Sequence, residues 1–121
     1  MKDEDLTEVI LGTCFEVSNE LGNGFLESVY EKALLVALRH KGIHAVSQAP
    51  VSVVFRGEVV GKFFADLLVE QKVIIELKVS KGIVSEHLAQ TINYLKATGL
   101  RLGLLVNFGA YPKAEVERIL L

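Results

Sequence analysis

The stretch Phe63-Phe64-Ala65-Asp66-Leu67-Leu68-Val69-Glu70-Gln71-Lys72-Val73-Ile74-Ile75-Glu76-Leu77-Lys78-Val79 reads as two β-strands joined at Glu70-Gln71-Lys72. Both halves are rich in β-branched and aromatic residues, and the residues between them are polar. Side chains alternate across a strand, so Phe63, Ala65, Leu67 and Val69 share a face with Val73, Ile75, Leu77 and Val79. That face is wholly apolar and is expected to be core. The other face carries Asp66, Glu76 and Lys78 among Phe64, Leu68 and Ile74. A turn centred on Gln71 puts Asp66 directly across from Glu76, where the Cβ atoms of an antiparallel pair lie about 4.5–5.5 Å apart. Two like charges at that spacing destabilise a sheet unless something compensates.

A cation compensates. Mg²⁺ takes oxygen ligands, commonly one or two carboxylates completed by waters and a substrate phosphate. Lys78, two residues along the same face, would then sit beside the ion and orient a water or balance phosphate charge. The same three residues also fit a solvated ion-pair network on an exposed face. Their apolar neighbours and their direct opposition favour a site.

Outward from this hairpin the pattern is helical on both sides. Leu6, Val9, Ile10, Thr13, Cys14, Val17 and Leu21 recur at spacings of three and four, which predicts a helix over about 5–20, stopped at Gly22. Leu26, Val29, Tyr30, Ala33, Leu34, Ala37 and Leu38 predict a second helix over about 26–41, ended by Gly42. Val51 to Phe55, a turn at Arg56-Gly57-Glu58 and a return from Val59 to Val69 predict a first hairpin. Ser85 is the expected N-cap of a third helix over about 86–98, with Leu88, Ile92 and Leu95 as its core stripe. Gln90 and Tyr94, four apart on another side of that helix, are free to face a site. Leu100 to Asn107 reads as a strand, and 113–121 as an edge strand. The order ααβββαβ(β) is that of an α/β (α+β) fold, a mixed sheet flanked by helices.

Composition narrows the function classes. Half of the 121 residues are hydrophobic and mean hydropathy is +0.38, which excludes a disordered tail. No apolar run approaches the roughly 18 residues of a membrane span, so no membrane partner is expected. The chain is expected to form a single domain over 1–121, with part of its apolar excess buried by self-association as a homodimer. One cysteine, Cys14, allows no internal disulfide, and the acidic start lacks a signal peptide's basic and apolar regions; a cytoplasmic location is expected. Residues 1–31 carry eight acids and one base, whereas 32–121 carry seven acids and twelve bases, so the net charge of −2 does not exclude a nucleic-acid partner. Lys78, Lys81, Lys96 and Arg101 fall near the proposed site in sequence and are candidate phosphate contacts, or else a solvated basic rim. His40, His44 and His87 show no zinc-ligand spacing with Cys14 or one another.

Asp66, nine intervening residues and Glu76-Leu77-Lys78 resemble the signature of the PD-(D/E)XK nuclease superfamily. Gly24-Phe25-Leu26-Glu27-Ser28-Val29-Tyr30 is similar to the motif of its small bacterial branch, the GxxExxY proteins. Gln90-Thr91-Ile92-Asn93-Tyr94 and Asn107-Phe108-Gly109 also match, so the resemblance runs over about 6–120. It departs at Ala65, which stands where the superfamily's name has proline. The resemblance implies a restriction-endonuclease-like core that hydrolyses phosphodiesters in nucleic acid, DNA first, with Mg²⁺ or Mn²⁺. It implies Asp66, Glu76 and the Leu77 carbonyl as metal ligands, Lys78 as the catalytic lysine, and Glu27 reaching the metal directly or through water. Gln90 would stand beside the site, with Tyr30 and Tyr94 accessory. The rival reading is a non-catalytic module that keeps the fold and binds nucleic acid or a protein partner.

Overall fold

A computed structural model describes all of residues 1–121. Two helices lead, α1 (Asp3–Leu21) and α2 (Glu27–His40), followed by strands β1 (Ala45–Phe55), β2 (Glu58–Val69) and β3 (Val73–Lys78). Helix α3 (Ser85–Thr98), β4 (Leu102–Asn107) and β5 (Glu115–Leu120) complete the chain. The five strands lie in sequence order in one mixed sheet, antiparallel except where β3 and β4 run side by side. A parallel pair needs a crossover, and α3 supplies it.

Helices α1 and α2 cover one face. Leu6, Ile10, Cys14 and Val17 of α1 and Tyr30, Leu34 and Leu38 of α2 pack on Leu67, Ile75, Leu77, Leu104 and Val106. Helix α3 covers the other face through a smaller cluster of Val51, Ala65, Ile74, Tyr94 and Leu95. It lies close: a Cβ on Gly103 would sit 3.0 Å from Thr91 and 3.2 Å from Leu95.

Several local expectations are corrected. Val84, not Ser85, precedes α3, and its amide donates to His87 Nδ1 at 3.3 Å. The buried stripe of α3 is Thr91, Tyr94 and Leu95, leaving Leu88 and Ile92 half-buried. The alternation along β2 also breaks. Leu67 packs beneath α1 and α2, but Ala65, two residues earlier, packs beneath α3, and Phe63 is 47% exposed. The strand changes face at Asp66. Opposite it on β1, Gln48 has a positive φ of 53°, and neither residue joins the ladder between its paired neighbours. Beyond that point β1 and β2 pair only with each other. The overhanging hairpin exposes Val54, Phe55, Val59, Val60, Phe63 and Phe64.

Candidate active site

The β2–β3 ladder runs through Val69↔Val73, Leu68↔Ile74 and Leu67↔Ile75, so Asp66 and Glu76 stand next in register. There the backbone pairing stops and side chains take over. The Asp66 amide donates to Glu76 Oε2 at 2.7 Å, and the Leu77 amide donates to Asp66 Oδ2 at 2.7 Å. Each carboxylate is thus held by the opposite strand through one oxygen. Asp66 Oδ1 meets only Gln48 Nε2, at 3.5 Å. Glu76 Oε1 has no protein partner; since no unpartnered side-chain oxygen is fully buried, it keeps contact with solvent.

Glu76 is 3% exposed, and its carboxyl is pushed up to about 8, first by burial and then by the charge of Asp66. Glu27, in the first turn of α2, is raised by burial and by Asp66, and Glu31 one turn on is raised by burial. Glu27, Ser28, Glu31, Gln48 and Asp66 line one depression of about 250 Å³. No basic side chain forms an ion pair with any of these acids; the ion pairs of the chain are Lys41–Glu16 and Lys72–Asp3, both elsewhere.

Lys78 ends β3. Its ammonium donates to Gln90 Oε1 at 3.2 Å, and Gln90 Nε2 donates to Tyr94 Oη at 3.2 Å. The Tyr94 hydroxyl is raised by burial and then by Glu76. Tyr94 therefore belongs both to the small core and to this polar chain, where the sequence left it outside the core. The loop after Lys78 is fixed by Asn107, fully buried, whose Oδ1 accepts from the Ser80 and Gly109 amides while Nδ2 donates to the Ser80 carbonyl. A Cβ on Gly109 would fall 2.3 Å from the Ser80 oxygen, so only glycine allows this approach.

The remaining expected residues divide. Tyr30 is turned into the core: fully buried, it stacks on Phe108 at 4.6 Å and donates to the Gly22 carbonyl at 2.6 Å. Its part is to brace the turn that delivers Glu27. Lys81 follows the β3 end and Lys96 projects from α3, both exposed. Arg101 does not join them. It precedes the end of β4 that pairs with Val73, at the opposite end of β3 from Lys78, and donates to the Leu121 carbonyl at 3.3 Å. Nearness in sequence put it beside the site; the parallel crossover carries it away. Sequence reading missed Glu31 and Gln48, which are joined at 2.7 Å beside Asp66. The four-residue spacing of Glu27 and Glu31 on one helix was the available signal.

No three His, Cys, Asp or Glu side chains come close enough to coordinate one ion together. Mg²⁺ does not need three: one or two carboxylates suffice with waters and phosphate oxygens. Two clamped carboxylates, each with an oxygen unclaimed by a strong donor, fit such an ion. The donor set is all oxygen, which does not suit a softer metal.

Residues 4–119 match the family model of the PD-(D/E)XK nuclease superfamily. Among solved structures, the crystal structure of SSO0001 is similar in fold, with a TM-score of 0.59 at 20% identity over 78% of this chain and 50% of that one. The chain thus spans half the length of that relative. Comparison with curated proteins finds no match. With its acids and lysine on adjoining strands of a mixed sheet and its family model matched nearly throughout, the chain belongs to the PD-(D/E)XK nuclease superfamily.

Proposed function

We propose that the protein is a metal-dependent nuclease hydrolysing phosphodiester bonds in nucleic acid, DNA in the first instance. The observation that carries this reading is the cross-clamped Asp66–Glu76 pair with Lys78 one alternation further along β3. A bound Mg²⁺ or Mn²⁺ would supply Lewis acidity toward a phosphoryl oxygen and make a nucleophile of a bound water. Asp66 and Glu76 would hold the ion through their unclaimed oxygens, with the Leu77 carbonyl a further ligand and Glu27 reaching it directly or through water. The Lys78 ammonium, held by Gln90, orients the attacking water and offsets charge gathering on the phosphate. Tyr94 fixes Gln90. Lys81 is the cation next along the chain for an adjoining phosphate.

The test is cleavage of single- and double-stranded DNA and RNA with Mg²⁺ or Mn²⁺. Wild type should cut at least one substrate, with a loss of about 10²–10⁴ in Lys78→Ala. No cleavage above that variant sinks the proposal. In that event, Mn²⁺ binding unchanged by Asp66→Ala would favour the non-catalytic module.

A further inference from the structure

Beside the acids, on the α3 side, lies the largest concavity of the molecule, a groove of about 720 Å³ between the overhanging β1–β2 hairpin and α3. That volume falls within the range of small-ligand pockets. Val53 and Phe63 form its hairpin wall, and Ala89, Asn93 and Ala97 follow one another at four-residue steps along its helix wall. Two alanines leave the exposed Asn93 amide room on either side. The ring of Phe63 touches Tyr94, with centroids 5.9 Å apart, yet nearly half of the residue remains open. Lys96 and Glu86 stand at the rim with opposite charges, so the groove has no net charge to draw in a phosphate.

The groove adjoins the candidate site through shared side chains. Gln90 and Tyr94 line it and also form the chain that ends on the Lys78 ammonium. A strand whose phosphate lies at Lys78 therefore passes the Gln90–Tyr94 side of an aromatic, apolar groove. Backbone cannot fill such a space, and a paired base presents only its edge. An unpaired base presents a flat face for Phe63 and an edge with which the Asn93 amide can exchange hydrogen bonds.

Resting on the nuclease reading above, we propose that this groove receives an unpaired nucleobase, stacked on Phe63 and met at its edge by Asn93. The protein then selects single-stranded or locally unpaired nucleic acid over intact duplex.

The test uses the Lys78→Ala protein, to suppress cleavage, with Mg²⁺ present. Fluorescence anisotropy follows a fluorescein-labelled single strand of mixed sequence, the same strand carrying abasic sites, and the matching duplex. The intact single strand should bind about tenfold more tightly than either of the others. Adding Phe63→Ala should remove that advantage, and Phe63→Trp should restore it, because stacking on an aromatic ring is worth roughly 1–3 kcal/mol per base. Should Phe63→Ala disturb the fold, Asn93→Ala on the exposed face of α3 reads the same groove and should weaken single-strand binding severalfold. Equal affinity for strand and duplex, untouched by these changes, overturns the groove assignment and leaves the nuclease reading standing. Failure to bind any of the three probes overturns the groove assignment, and the nuclease reading falls only with the cleavage assay above. A dimer in sedimentation velocity that Phe63→Ala splits into monomers shows the groove to be covered by a second copy, and also overturns the assignment.

Discussion

The Asp66 amide and the Asp66 carboxylate are engaged by the same short segment of β3: the amide donates to Glu76 Oε2 and the carboxylate accepts from the Leu77 amide, both at 2.7 Å. The two acids thus sit where ladder hydrogen bonds would otherwise run. This arrangement resists separation of the strands while keeping one oxygen of each acid available. Glu76→Gln preserves the acceptor for Asp66 and removes a buried charge. Without divalent metal at pH 8, thermal melting should show this variant more stable than wild type, by about 1 kcal/mol. It should also bind Mn²⁺ at least tenfold more weakly. A destabilised Glu76→Gln protein would contradict the account of the clamp.

The same carboxyl gives wild type a distinctive pH dependence. Its folded value of about 8 lies above the ordinary 4.5, so the native state holds a proton that the unfolded chain releases. Its contribution to stability is complete below about pH 4.5 and is lost as pH rises through about 8. In EDTA, urea midpoints should fall across that window, and Glu76→Gln should flatten the fall. Mg²⁺ should restore stability at the alkaline end by binding the ionised form.

Tyr30 braces the turn before α2 with both its ring and its hydroxyl. Tyr30→Phe keeps the stack on Phe108 but leaves the Gly22 carbonyl without its 2.6 Å donor. Chemical denaturation should show a loss of about 1–2 kcal/mol. Tyr30→Ala removes a fully buried ring and should cost roughly 3–5 kcal/mol. Mn²⁺ affinity in Tyr30→Phe should change by less than threefold; a larger change would place this residue in the site.

Gly109→Ala should be among the most damaging single-methyl additions in the chain. The new carbon would meet the Ser80 carbonyl oxygen and amide nitrogen at 2.3 and 2.5 Å, and backbone has to move. A loss of about 2–4 kcal/mol is expected, with the loop after Lys78 displaced. A variant as stable as wild type in urea would show that this loop is less fixed than Asn107 makes it.

Cys14 lies wholly buried, with its thiol pushed up to about 12, chiefly by burial. It should resist alkylation at pH 8 until the protein is unfolded. Rapid labelling of native protein would place α1 away from the sheet.

The acids were legible in the sequence because turn symmetry alone sets Asp66 against Glu76, and the observed register leads to that position although the backbone ladder ends one step before it. Helices were legible from spacing, and the matched family from several motifs in order. The face change at Asp66 was not. It accompanies the left-handed backbone of Gln48, a residue type that carries no strong signal for that conformation. Nor could local pattern say that Tyr30 spends its hydroxyl on Gly22 and its ring on Phe108, since the stack joins opposite ends of the chain. Arg101 shows the converse. Neighbours in sequence are parted when a crossover helix intervenes between parallel strands.

The reversal of β2 at Asp66 has a mechanical consequence. Ala65 before it belongs to the small cluster under α3, and Leu67 and Val69 after it to the large one under α1 and α2. The acids therefore lie on the seam between two separately packed bodies. Breathing of the small cluster against the large one would shift Gln90 and the aromatic wall relative to Lys78 and Glu27 while the rest of the chain stays folded. Amide hydrogen exchange around Ala65 and Tyr94 should accordingly be faster than around Leu67 and Leu104, making the lesser cluster the compliant jaw of the site.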